Sequence, residues 1–238
     1  ITERKQVDDM KRDLISVVSH QLKTPVAEIN GYVENLLEGL AGPLSPKQRE
    51  YLADMREIGM ENYRLISDLL SLSKLERGII TVDLQPVPLD QLVELSIRDY
   101  TSMIQRKGLD LVLDQAPGGL QVLADRDKTV ETLRNIINNA LKCTDKGGIT
   151  IATGAENGYG WIKVTDTGIG MDRSVLKKLF TKDRVLGAEA SRSGAGLGLY
   201  IAKSFMELQK GAISVESQAG KGSSFCLKIP RTEKEPVS

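Results

Sequence analysis

The sequence is poor in the residues that build metal and redox sites. It contains one histidine and two cysteines in 238 residues. Because Cys143 and Cys226 are too few for a disulfide framework or a metal cluster, we expect free thiols and a reducing compartment. No apolar run approaches the roughly 18 to 20 residues that cross a bilayer, and no signal-peptide pattern opens the chain. We therefore expect a cytoplasmic chain with no membrane contact of its own.

The chain also lacks an excess of charge of either sign. Lys plus Arg and Asp plus Glu number 32 each, so the formal net charge is zero and nucleic acid is not an expected partner. A length of 238 residues suits two modest domains. Since the chain begins at Ile1 and not at Met, we expect a fragment of a longer protein, one that can carry a membrane anchor elsewhere.

The single histidine lies in a segment of helical apolar spacing, Ser19-His20-Gln21-Leu22-Lys23-Thr24-Pro25. The neutral imidazole dominates near pH 7, so an exposed His20 can attack phosphorus without a strong base. The alternative is a surface histidine without a chemical role. For the residue taken alone this alternative is favoured, because lone histidines in helices are common.

Two amphipathic helices are predicted before residue 80. The first carries an apolar seam with a phase shift at His20, and Pro25 is expected to bend or loosen it. A break follows, and Ser45-Pro46-Lys47-Gln48 then predicts a second helix from Pro46 with a capping box. Because two helices cannot cover both seams, we expect a homodimer in which two hairpins form a four-helix bundle. The seam residues are Ile15, Val18, Leu22, Val26, Ile29, Val33, Leu36, Leu40, Met55, Ile58, Leu65, Leu69 and Leu72, interrupted by Asn62.

A proline-rich segment at 82–89, typical of an extended linker or edge strand, marks a domain boundary. We place a helical hairpin domain at 1–80 and a second domain at 81–238. The second domain is predicted to be an α+β sandwich, with one mixed sheet and helices on one face. Helices are expected at about 89–106, 126–143, 172–180 and 197–209, and strands at 109–113, 121–123, 148–153, 161–165, 212–216 and 223–229.

Polar residues recur on one face of the predicted helix at 126–143. Spacings of four and three bring Asn135, Asn139 and Lys142 together. Amide oxygens can join a Mg²⁺ shell and a lysine can meet phosphate, so this face suits a metal-bound triphosphate. The alternative is an ordinary solvated face, although asparagine is a poor helix former.

Two glycine-rich segments flank a region with few apolar residues. In the first, Asp166 ends a strand before Gly168 and Gly170, where its carboxylate can accept from the exocyclic amine of adenine; taken alone, an ordinary strand-to-helix turn is favoured. The second opens a helix and offers free backbone amides to phosphate, but lacks a Walker lysine; it comprises Gly194, Gly196, Leu197 and Gly198.

Residues 180–193, between these segments, include charged and small residues with almost no apolar anchor. This composition suits a lid that closes over a ligand, with Arg184 or Arg192 reaching phosphate; a disordered surface loop is the alternative.

In this order, the motifs resemble those of the two-component sensor histidine kinases. Residues 19–25 resemble the H box, 135–142 the N box, and 166–170 and 194–198 the two glycine boxes. The resemblance covers nearly the whole chain. It implies a phosphoacceptor and dimerisation hairpin joined to an ATPase domain of the Bergerat type, shared with gyrase and MutL.

The resemblance implies a role for each matched residue. His20 is the phosphoacceptor, Asn139 a Mg²⁺ ligand and Asp166 the carboxylate that reads adenine, while Asn135 and Lys142 lie on the phosphate side. Gly194, Gly196 and Gly198 form the hinge and cradle beside the lid. The implied reaction is attack by a His20 ring nitrogen on the γ-phosphorus of MgATP, followed by transfer to an aspartate of a response regulator receiver domain.

The chain departs from the family pattern at several positions. Gln21 stands where Glu or Asp usually follows the histidine, so we expect slow autophosphorylation. Thr24 lies one turn further on, where family members of this type position water to dephosphorylate the regulator; a plain surface threonine is the alternative. Cys143 replaces a common aromatic, and only Phe180 remains of two usual phenylalanines, so we expect a looser lid and weaker ATP binding.

These departures keep two other function classes open. One is a degenerate nucleotide-binding scaffold, or a homologue biased toward phosphatase action. The other is a Bergerat ATPase that drives a conformational clamp without a phosphoenzyme. The stimulus, the regulator's identity and the choice between cis and trans phosphorylation are not encoded in a recognisable motif.

Overall fold

The computed structural model describes residues 2–116, 118–181 and 196–232, with side chains from residue 17 onward. Within it the chain divides into two units, Ile1–Ile80 and Thr81–Ser238. None of the helices in these described ranges is both long and apolar enough to cross a membrane.

The first unit is a helical hairpin. Helix α1 spans Thr2–Leu37 and continues through Pro25, and helix α2 spans Pro46–Glu76. The predicted start of α2 is confirmed, because Ser45 Oγ accepts from the Gln48 amide at 3.3 Å while Gln48 Oε1 accepts from the Ser45 amide at 2.9 Å. This reciprocal capping satisfies two backbone donors that a helix start otherwise leaves open.

Little apolar surface is buried inside the hairpin. Among its described side chains, Val33 is the one buried hydrophobic residue, at 3 % exposure. Many of the predicted seam residues are exposed in the single chain: Val18, Leu22, Ile29, Leu40, Met55, Ile58 and Leu65.

The second unit is built around a five-stranded mixed sheet of order β2-β4-β5-β7-β6. Strand β2 runs parallel to β4, and the other neighbouring pairs are antiparallel. The strands are β1 (Gln85–Pro88), β2 (Asp110–Asp114), β3 (Gln121–Ala124), β4 (Gly148–Glu156), β5 (Tyr159–Asp166), β6 (Ala212–Ser217) and β7 (Ser223–Pro230). Strands β1 and β3 form a separate antiparallel pair, so the expectation of one sheet was incomplete.

The helices of the second unit are α3 (Leu89–Ile97), α4 (Thr101–Arg106), α5 (Arg126–Cys143), α6 (Arg173–Lys178) and α7 (Gly196–Leu208). The single helix expected at 89–106 was wrong. A turn at 98–100 separates α3 from α4, and Ile97 of α3 and Ile104 of α4 are both buried in the core.

One hydrophobic core holds these elements together. Alternate residues of β4, β5 and β7 face it, and α3, α5 and α7 cover it with their apolar stripes. The core fixes α5 beside α7 and places the carboxyl end of β5 near the last turn of α5. The geometry of the candidate site depends on these two placements.

Candidate active site

His20 lies on α1 with an exposed side chain. It lines a shallow depression together with Lys23, Thr24, Ala27 and Glu28 of the same helix and Tyr63 of α2. The ammonium of Lys23 lies 4.9 Å from the centre of the Tyr63 ring, within the range of a cation–π contact. The imidazole is therefore accessible to a reactant, with a cation and a hydroxyl beside it.

The described part of the second predicted site starts on α5. Asn135 is buried at 8 % exposure, and its Nδ2 donates to the carbonyl oxygen of Gly198 on α7 at 3.4 Å. A Cβ placed on Gly198 would lie 3.1 Å from Oδ1 of Asn135, so a larger residue would require the Asn135 side chain to shift. Asn139 is half-buried and Lys142 exposed on the following turns. The structure thus brings Asn135 and Gly198 into contact.

Asp166 ends β5 and is 3 % exposed. Its Oδ1 accepts from the Gly168 amide at 2.8 Å and from the Ser223 amide at 3.3 Å. Burial raises the pKa of this carboxyl, although the hydrogen bonds from Gly168 and Ser223 act in the opposite direction. A buried carboxylate held by backbone donors is a suitable acceptor for a ligand amine.

The turn between β6 and β7 supports this carboxylate, and sequence reasoning missed it. Ser217 Oγ accepts from the Met171 amide at 2.8 Å and donates to Gly222 O at 2.9 Å. Gly170 has a φ of +63°, and a Cβ there would lie 2.7 Å from the carbonyl carbon of Gln218. The first glycine segment is therefore packed against backbone that is distant in sequence.

Four predicted features lie outside the described residues: Arg184, Arg192, Gly194 and nearly all of the lid. Gly196 begins α7, and Leu197 and Gly198 occupy its first turn.

Comparison with known families assigns each unit. The family described as "His Kinase A (phospho-acceptor) domain" matches residues 10–78. The family described as "Histidine kinase-, DNA gyrase B-, and HSP90-like ATPase" matches residues 124–233. The chain belongs to the two-component sensor histidine kinases. Its fold, a phosphoacceptor hairpin followed by an ATPase domain, agrees with the resemblance seen in its motifs.

Several full-length relatives extend this histidine kinase assignment. The circadian input-output histidine kinase CikA of Synechococcus elongatus is 33 % identical over 95 % of this chain, which corresponds to 31 % of that protein. Sensor protein SrrB of Staphylococcus aureus is 30 % identical over 98 % of this chain and 40 % of its own length. This histidine kinase core therefore spans less than half the length of these relatives.

Solved structures agree with the fold. Full-length ShkA in complex with AMPPNP matches with a TM-score of 0.70 and 27 % identity, over 92 % of this chain and 46 % of that one. The histidine kinase AdeS of Acinetobacter baumannii matches with a TM-score of 0.60 and 22 % identity, over 90 % of this chain and 98 % of that one. The second match supports the fold alone.

The donor set of the histidine kinase core fits a magnesium nucleotide. Among the described residues no three His, Cys, Asp or Glu side chains cluster as a metal site. Magnesium does not require such a cluster, because it keeps several waters and often takes one or two protein ligands plus phosphate oxygens. The amide oxygen of Asn139 suits this role, and Asp166 suits the base.

Proposed function

We propose that this chain uses MgATP to phosphorylate His20 and passes the phosphoryl group to an aspartate of a response regulator receiver domain. The supporting observation is the pairing of two kinds of site in one chain. An exposed imidazole lies on the hairpin, and a buried carboxylate begins the first glycine segment of the ATPase domain.

In the proposed reaction the hairpin supplies the nucleophile. A ring nitrogen of His20 forms the new N–P bond while the bond from the γ-phosphorus to the bridging oxygen breaks and ADP leaves. Positioning and charge neutralisation supply most of the rate enhancement in phosphoryl transfer. Gln21 follows His20 and offers an amide oxygen to the second ring N–H, which orients the ring without adding charge. Magnesium, when bound, neutralises charge on the transferring phosphate.

The ATPase domain orients the nucleotide. In this proposal Asp166 accepts from the adenine amine, Asn139 provides a metal ligand, and Asn135 and Lys142 lie on the phosphate side. The backbone of Gly168, Gly170, Gly196, Leu197 and Gly198 allows close approach, and Arg184 and Gly194 belong to the lid side. The complex of ShkA with AMPPNP supports use of an adenine nucleotide by this fold.

We also propose that the hairpin forms a homodimer and that the chain works in the cytoplasm, where ATP is available. Exposed seam residues support the dimer, since an apolar stripe of this length is stabilised by a second hairpin. Thr24 is proposed to position water for dephosphorylation of the regulator, because it shares the depression with His20.

Labelling with γ-labelled ATP tests the proposal. We expect acid-labile, alkali-stable label on the wild type, none on His20→Ala and none on Asp166→Asn. His20→Ala should keep its affinity for ATP, because the imidazole is exposed and belongs to the other unit. ATP binding without label would instead support a scaffold, and release of free phosphate without labelled protein would support a clamp ATPase.

A further inference from the structure

The last turn of α5 is held from outside by one lysine. Lys107 follows α4, and its Nζ donates to Leu141 O at 2.9 Å and to Thr144 O at 2.7 Å. The same ammonium lies 3.2 Å from Oδ1 of Asp145. The Lys107 side chain is 35 % exposed, whereas that of Asp145 is 85 % exposed. The two carbonyl bonds are therefore the better protected part of this contact.

These bonds occur where a helix needs them. The last carbonyls of a helix have no intrahelical donor, and a cation near this end also interacts favourably with the helix dipole. Thr144 Oγ1 donates to Ala140 O at 2.7 Å, and Lys107 Nζ donates to the carbonyl oxygen of the next residue, Leu141. The ammonium thus spans from the last turn of α5 to the residue beyond it, across Cys143.

Cys143 lies inside this span and touches the adenine side of the candidate site. Its carbonyl oxygen accepts from the Ile169 amide at 3.1 Å. A Cβ placed on Gly168 would lie 2.7 Å from the carbonyl carbon of Cys143, so the two backbones are in close contact. Gly168 in turn donates its amide to Asp166 at 2.8 Å. A short run of contacts therefore leads from Lys107 to the buried carboxylate.

We propose that Lys107 is a positioning residue for adenine recognition. Its ammonium holds the carbonyls of Leu141 and Thr144 and so fixes the backbone of Cys143 between them. The Cys143 carbonyl in turn holds the Gly168–Ile169 backbone, and that backbone orients Asp166. The inference rests on the proposed ATP site. It adds a residue from outside the four sequence motifs to the determinants of base selectivity.

Lys107→Met in the full chain tests the inference, because it removes the charge and keeps the length of the stem. Isothermal titration is expected to show about tenfold weaker ATP binding, which corresponds to the loss of one charge-assisted contact. GTP binding should not change, because guanine does not present the amine that Asp166 reads, so the ATP-to-GTP affinity ratio should fall. Hydrogen exchange without nucleotide should show faster exchange of the Ile169 amide.

Three further variants separate positioning from general destabilisation. Lys107→Gln keeps a neutral donor and should give intermediate ATP affinity; it also replaces Lys107→Met if that variant fails to fold. Asp145→Asn should have little effect, because an exposed ion pair contributes little. Lys228→Met is the matched control, since this lysine is 48 % exposed and its ion pair with Glu156 lies on the sheet.

Two results would overturn the inference. One is wild-type ATP affinity and wild-type exchange at Ile169 in Lys107→Met. The other is an equal loss of ATP and GTP binding that follows a lower melting temperature. If the wild type itself does not bind ATP, the proposed function fails and the inference fails with it; if the wild type binds and Lys107→Met binds equally well, the inference alone fails.

Discussion

The hairpin and the ATPase domain bury their apolar residues very differently. In the ATPase domain one continuous core joins buried residues from five strands and four helices, and members such as Leu92, Ile136 and Ile162 are fully buried. In the described part of the hairpin, Val33 is the single buried hydrophobic residue, while Ile58 is 60 % and Tyr32 70 % exposed. One unit completes its core within the chain, and the other leaves most of its apolar stripe uncovered.

This difference indicates where each unit obtains its stability. Burial of apolar surface is the main favourable term in folding, so the ATPase domain is expected to be stable as a single copy. In the proposed homodimer the hairpin obtains most of its burial from the partner, so its stability should depend on protein concentration. The chain offers a convenient probe, because its single tryptophan, Trp161, lies on β5 and reports on the ATPase domain alone.

The largest effect is expected from Ile58→Asp, which tests whether the hairpin needs a partner to cover its apolar stripe. A charge placed in a bundle core costs several kcal/mol to desolvate, so the dimer should weaken by roughly 100-fold or more. Sedimentation measures the association, and the unfolding transition seen by Trp161 fluorescence should not move.

Val112→Asp provides the matched control for this variant. Val112 is 50 % exposed, lies on β2 of the ATPase domain and should tolerate the charge without any change in association. If Ile58→Asp leaves the association constant unchanged, the exposed seam is not the dimer interface.

A smaller effect is expected from Asp125→Ala in the ATPase domain. Asp125 is the N-cap of α5, where its side chain accepts from the Lys128 amide, and it also accepts from the Asp83 amide at 3.0 Å. We expect a loss of about 1 to 2 kcal/mol in the free energy of unfolding followed by Trp161 fluorescence. Asp127→Ala is the control, because that side chain lies in the first turn of the same helix and is 82 % exposed.

The effect of Asp125→Ala should depend on pH. Burial alone would raise the pKa of Asp125, but hydrogen bonds from the Lys128 side chain and from the amides of Asp83 and Lys128 outweigh it and lower the pKa. A carboxyl whose pKa is lower in the folded state stabilises the fold at pH values above its pKa in the unfolded chain. This stabilisation is lost as the pH falls through the pKa of the folded state. The difference from wild type should therefore be full near neutral pH and shrink below about pH 4. A difference that grows on acidification would contradict this assignment.

The smallest effect is expected from Gln21→Glu. This variant changes the hairpin alone, so it separates the hairpin's contribution to the labelling rate from that of the ATPase domain. A carboxylate stabilises the developing imidazolium of His20 better than an amide does, by about 1 kcal/mol, so the initial rate of labelling should rise roughly fivefold. The affinity for ATP should not change. Asn35→Glu, which adds the same charge to an exposed position further along α1, should leave the rate at the wild-type value.

Local signals in the sequence predicted most of the secondary structure. The helix at 126–143 was predicted with the bounds that the structure has, and the capping box correctly placed the start of α2 at Pro46. Such signals depend on residues three or four positions apart, so they are visible without tertiary information. The predicted helix at 89–106 failed at residues 98–100, where the structure has a turn. Ile97 and Ile104 would share one face of an unbroken helix as well, so their apolar spacing could not reveal the turn.

The candidate site likewise divides into residues that local motifs reveal and residues that only tertiary contacts reveal. The motifs around His20, Asn135, Asp166 and Gly198 are short, and sequence reasoning singled them out. Their assigned roles remain predictions. Lys107, Ser217 and Ser223 were missed, because each acts on a partner that is 34 or more residues away along the chain.

By itself, the sequence determined a histidine kinase core with two units, an amphipathic hairpin and an α+β ATPase domain, since helical periodicity, caps and short motifs are local properties of the chain. The tertiary structure decided which backbone groups hold Asp166, which cation ends α5 and which apolar residues remain uncovered on the hairpin. These features depend on groups that are distant in sequence and that meet only when the core closes, and a local pattern carries no information about such meetings.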